Sequence, residues 1–209
     1  MFLLFASHAL AHPFQPSAWS MSTEVRTLES NLQVVVALEI PTFTVLRDIA
    51  KATNALQGFN RSELEEASER YTEEVFANLG ASIEVDLNGQ TVEPEWIPVD
   101  SPVNAMASER FFVYFLETKI PLPEDTDQLT VVLRNQAHAE EDMYLTAKTL
   151  SRSPWSLKTS SVAEKLRRGT CPVEGENTKK PAAGSIDRNG QVWLRDDTLR
   201  TMRAEWERL

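Results

Sequence analysis

Apolar and polar residues alternate most clearly in NLQVVVALEIP, residues 31–41, where Leu32, Val34, Val36, Leu38 and Ile40 share one face. A period of two is that of a half-buried strand. The preceding AWSMSTEV places Trp19, Met21, Thr23 and Val25 on one face, and Leu28–Asn31 supplies a turn, so residues 18–40 are expected to form a hairpin. The period then lengthens. In SELEEASERYTEEVFANLG, residues 62–80, Leu64, Ser68, Tyr71, Val75 and Leu79 recur at helical spacing. Ser62 and Glu65 have capping-box spacing at its start, and Gly80 is the expected stop.

Alternation returns in SIEVDLNGQTVEPEW, where Asn88-Gly89 is a tight hairpin turn and Pro94 marks the returning arm as an edge strand. RFFVYFLETKIP (110–121), QLTVVLRN (128–135) and DMYLTAKTL (142–150) read as three more strands. The first half of the 110–121 strand is apolar on both faces, which suits a central strand. The pattern fades over 151–190, rich in Ser, Thr, Pro, Gly and Lys, which reads as a loosely ordered basic linker. A short apolar QVWL follows. Leu199, Met202, Trp206 and Leu209 then fit one face of a C-terminal helix capped by Asp196 or Asp197.

Strands in hairpin order with one inserted helix predict a mostly β fold: an antiparallel β-sandwich with one inserted amphipathic helix and a C-terminal helix. The expected organisation is a signal-like segment over 1–11, the sandwich over 12–150, the linker over 151–190, and a short strand with the terminal helix over 191–209.

Charge sharpens this division. The net charge is −10, which argues against nucleic acid as a partner, because phosphate binding needs a basic surface. Residues 1–151 hold 9 Lys and Arg against 23 Asp and Glu, whereas residues 152–209 hold 12 against 8. That asymmetry suggests a basic tail resting on the acidic body or on an anionic membrane surface, and the terminal helix is expected to dock on the body or on an envelope protein partner. The exposed acids of the inserted helix, Glu63, Glu66, Glu69, Glu73 and Glu74, read as a solvated face that complements the helix dipole. No stretch approaches the ~20 apolar residues of a membrane-spanning helix, so no membrane span is expected.

The N-terminus adds an address. Phe2-Leu3-Leu4-Phe5-Ala6 precedes Ala9-Leu10-Ala11, a small-x-small triplet of the kind cut by signal peptidase. Cleavage there makes His12 the first mature residue and implies an exported, periplasmic or extracytoplasmic protein. The single cysteine, Cys171, allows no internal disulfide.

Chemistry is sparse. The chain has no GxSxG elbow, Gly-rich phosphate loop, HExxH or CxxC, and only three histidines: His8, His12 and His138. The reading is non-enzymatic, with no catalytic residues and no cofactor assigned. The one constellation is metal-ligating. A free α-amine and imidazole at His12, joined by His138, would give three nitrogens suited to copper or zinc. Pro13 has no N–H, so copper modes that deprotonate the following amide are excluded. Met21, Met143, Glu140, Glu141 and Asp142 are further candidate ligands, and a copper-dependent oxidative enzyme would use the same set.

The run HPFQPSAWSMSTEV after a signal ending in Ala, followed by an alternating strand, an acidic helix and SIEVDLNGQTVEP, resembles a loose group of exported bacterial domains. Some begin His-Pro-Phe after the signal. Others form the extracytoplasmic part of permeases related to hydrogenase and urease accessory proteins. The resemblance covers roughly residues 11–150 and implies a β-sandwich outside the cytoplasmic membrane, with a link to metal supply for the permease-like members. The membrane helices that follow in those permeases are absent here, so transport is not implied.

Overall fold

The structure is a computed structural model that describes residues 19–52, 61–99, 111–141, 143–161, 184–186, 192–194 and 197–209. The signal-like segment, His12, Asp142 and Cys171 lie outside these residues.

The fold is mostly β and sandwich-like. One sheet has the strand order β10-β11-β8-β1-β2-β6-β5 and the other β4-β3-β7-β12-β9. Their ranges are β1 Trp19–Thr27, β2 Asn31–Pro41, β3 Ile83–Leu87, β4 Gln90–Val92, β5 Ile97–Pro98 and β6 Phe111–Pro121, then β7 Gln128–Asn135, β8 Met143–Leu150, β9 Trp155–Ser160, β10 Gly184–Ile186, β11 Val192–Leu194 and β12 Thr201–Arg208. Two helices, α1 Thr42–Ala52 and α2 Arg61–Ala81, lie between β2 and β3.

The expected hairpin is present, β1 pairing antiparallel with β2 from Ser20–Glu39 to Thr27–Leu32. All five alternating apolar residues of β2 are buried, as are Trp19, Met21, Thr23 and Val25 of β1. The apolar ones join Leu129, Val131 and Leu133 of β7 and Ile83 and Val85 of β3 in one core between the sheets. Burial of such side chains contributes about 1.5–3 kcal/mol each.

The Asn88-Gly89 turn closes β3 on β4 with both residues at positive φ, 50° and 82°. The Asn88 Oδ1 accepts a 2.8 Å hydrogen bond from the Thr130 N–H, fastening the turn to β7. No atom lies within 4 Å of a Cβ built at Gly89, so a substitution there meets backbone strain alone. Gly89→Val is expected to cost about 1–2 kcal/mol, read from the urea midpoint; an unchanged midpoint would contradict the left-handed turn.

Several expectations need correction. The sequence expects a C-terminal helix; residues 201–208 are instead β12, the strand between β7 and β9. Met202, Ala204 and Trp206 are buried at a period of two, and Leu209, expected on the same apolar face, is exposed. Strand neighbours on both sides satisfy the backbone of 201–208 and override its weak helical pattern. The proposed contact of a terminal helix with an envelope partner falls with it. Trp155–Ser160, inside the stretch read as a linker, forms an edge strand beside β12. The sandwich therefore does not end at residue 150.

The sheets are also not wholly antiparallel: β1 and β8 pair in parallel from Trp19–Met143 to Arg26–Leu150. Strand β6 is flanked on one side along its length by β2 and, among the described residues, on the other only by the two-residue β5. Helix α1 was not expected at all. Gly80 does not stop α2, which runs to Ala81; a Cβ at Gly80 would lie 3.1 Å from the Trp96 ring, so the glycine admits that ring against the helix.

Candidate functional site

Register brings a set of chain ends to one end of the sandwich. β7 finishes at Asn135, which pairs with Ile83 at the start of β3, while Arg134 pairs with Thr201 at the start of β12. The connection after β7, described over 136–141, leads to the other sheet, where Met143 of β8 lies beside Trp19 of β1. Because that pairing is parallel, β1 and β8 both begin here. β2 ends here too, and leads into α1. His138 sits in this connection.

Three features define it. First, His138 adopts a left-handed backbone, φ 48°, a conformation that costs an L-residue energy unless its surroundings fix it. Second, Arg200, buried in the short 3-10 turn Asp197–Arg200, donates to the carbonyls of Ala137 at 2.8 Å, His138 at 3.3 Å and Asn135 at 3.5 Å. Third, the Asn135 Oδ1 accepts from the Ala137 N–H at 3.0 Å while its Nδ2 donates to the Met21 Sδ at 3.3 Å. A buried cation here closes off the carbonyls at the end of β7 and in the turn that follows it.

The His138 ring lies on Trp19, with centroids 4.8 Å apart and planes at 46°. Its Nε2 is out of reach of solvent and has no hydrogen-bond partner among the described residues. Burial pushes the imidazole pKa down; Glu140 and Glu141 act to raise it and Arg200 adds to the lowering. The neutral imidazole is therefore the favoured form. Since the folded value lies below the ordinary one of about 6.5, the unfolded chain binds more protons in the interval between the two. Stability is then complete above that ordinary value and is lost as pH falls below it. In chelator-treated protein, His138→Gln should remove this component. The check is the difference in urea midpoint between the two proteins at pH 7.5 and 5.5, which should shrink at the lower pH.

No protein-family model matches this chain, and no curated protein is significantly similar to it. The site must be read from its own residues.

The structure thus places His138 where the sequence expects it, in the connection between two strands at a sandwich end, with Glu140 and Glu141 exposed beside it. Met21 and Met143, the other candidate ligands, are buried in the core. Among the described residues, no group of three or more His, Cys, Asp or Glu is arranged to hold a metal ion. Trp19 and Arg200 were not singled out from the sequence as site residues. Trp19 was visible only as an inward-facing strand residue, and nothing local distinguishes Arg200 from the other arginines of a basic stretch.

Helix α1 borders the same end. The Arg47 guanidinium hydrogen-bonds Asp48 at 3.0 Å and feels the charge of Glu141. Val45 and Ile49 face the core, whereas Phe43 is 76% and Leu46 50% exposed. Against α2, burial pushes the Tyr71 phenol pKa well up, and that of Tyr114 up to about 12. Both phenols are therefore neutral at physiological pH. No helix of the described residues is long and apolar enough to cross a membrane.

Proposed function

We propose that the protein is a non-enzymatic, exported module of the bacterial cell envelope that acts by binding. The observation that carries this reading is the pair Phe43 and Leu46, one turn apart on α1 and both largely in solvent. Large apolar side chains side by side on a helix surface mark a contact site more than a solvated face. The contact proposed earlier for a terminal helix moves accordingly to α1. A photo-crosslinking amino acid at position 43, expressed in a bacterial cell, should yield one discrete adduct in the envelope fraction. The same probe at the exposed Glu93 should not. Recovery of the protein in the cytosol, or identical adducts from both positions, would overturn the reading.

A second reading, a copper- or zinc-binding protein using His12 with His138, is favoured by the parallel pairing of β1 with β8. That pairing starts β1 beside the connection that carries His138. Six residues lie between His12 and Trp19, seven Cα–Cα steps with a reach of up to about 25 Å. Protein cleaved after Ala11 should take up one equivalent of Cu(II) or Zn(II) and lose it on His12→Gln substitution. Metal analysis showing no uptake would exclude this mode.

A further inference from the structure

The ring of His138 does not stand alone on Trp19. In the parallel ladder Met143 is the direct neighbour of Trp19, and side chains of directly paired residues project to the same face of a sheet. Both are buried, Trp19 at 8% and Met143 at 5% exposure. An imidazole nitrogen with no hydrogen-bond partner among the described residues and an indole face therefore meet where β1 and β8 begin, and the Met143 side chain stands beside that indole on the same face of the sheet. A buried polar atom left unsatisfied calls for an explanation.

We propose that this cluster binds a soft monovalent cation, Cu(I), through the His138 Nε2 and the Met143 Sδ, with the Trp19 ring covering the ion. Thioether and imidazole together select Cu(I) over harder ions, which prefer carboxylate or water oxygens. An indole face is the aromatic surface best able to stabilise a desolvated cation. Met21 is the obvious further thioether, but its sulfur already accepts the hydrogen bond from Asn135. It is assigned to holding the connection and not to the ion. The site deepens the metal reading above but does not require His12, so the two are separable.

The test uses the full chain under anaerobic conditions, with Cu(I) supplied against a competing chromogenic chelator and Ag(I) as an air-stable probe. One equivalent should bind, with quenching of tryptophan fluorescence that Trp19→Phe abolishes. Met143→Leu, a near-isosteric change in the core, should weaken Cu(I) binding at least tenfold while far-UV circular dichroism and thermal midpoint stay as in the parent. His138→Gln should weaken binding as much, with the stability change at neutral pH described above. His12→Gln should leave the affinity within about twofold. Cu(I) binding that survives Met143→Leu would overturn the proposal, and so would a failure to compete with the chelator. Uptake confined to Cu(II) or Zn(II) and lost with His12→Gln would overturn it too, while leaving the amine–imidazole reading intact. Should His138→Gln fail to fold, Met143→Leu carries the test alone.

Discussion

A chain cut after residue 196 will not fold. The last thirteen residues look dispensable in the sequence, as a terminal helix resting on a finished body. In the structure they supply β12, which pairs with β7 on one side from Thr201–Arg134 to Glu207–Gln128, and with β9 on the other. Without β12, β9 loses its only strand partner among the described residues, and the apolar face of β7 is uncovered at one edge. Trp206, 1% exposed, is the largest fully buried side chain, and its indole N–H donates to the Leu150 carbonyl at 3.2 Å across to the other sheet. Replacing it alone with Ala should cost about 3–5 kcal/mol, a large share of the ~5–15 kcal/mol that holds a domain of this size. The truncated chain should lack near-UV circular dichroism and show no cooperative urea transition. A cooperative transition at the parent midpoint would mean that β12 is an accessory.

Arg200→Met should cost about 3 kcal/mol, the second largest effect expected of a local change. The substitution keeps much of the buried stem but strips donors from the carbonyls of Ala137 and His138. Each such acceptor left dry costs about 1–3 kcal/mol. Arg200→Lys should recover less than half of the loss, because one ammonium cannot reproduce a planar fork spread over several carbonyls. Urea denaturation of the two variants provides the measurement; a loss below about 1 kcal/mol for Met would show that the connection holds itself. The substitution should also free His138 from its left-handed backbone, so the Trp19 contact is expected to loosen with it.

What the sequence makes legible, and what it does not, follows from how locally each element is determined. The β1–β2 hairpin and the Asn88-Gly89 turn are set by residues next to each other, and both are read correctly. Residues 199–209 satisfy two periods at once. Leu199, Met202 and Trp206 fit a helix, and Met202, Ala204 and Trp206 fit a strand. The decision rests with β7 and β9, some 40 to 80 residues away in the chain. Helix α1 was hidden because Phe43 and Leu46 sit on its solvent side and blur the apolar stripe of Val45 and Ile49. At the candidate site, a loop histidine between two strands was readable. Its contact with Trp19 was not, because that contact depends on a parallel pairing that no alternation pattern encodes.

The same pairing has a consequence for the order of assembly. On one side β1 meets β2 four residues after it ends. On the other it meets β8, whose first residue follows the first residue of β1 by 124 positions. Closing so long a loop must wait until local contacts have made it worthwhile. During synthesis the hairpin therefore stands with one flank bare, rich in apolar side chains and ready to accept a strand from another copy. The residues that assemble the proposed site are the ones that finish this late event, so the site exists only once the chain has been made through β8.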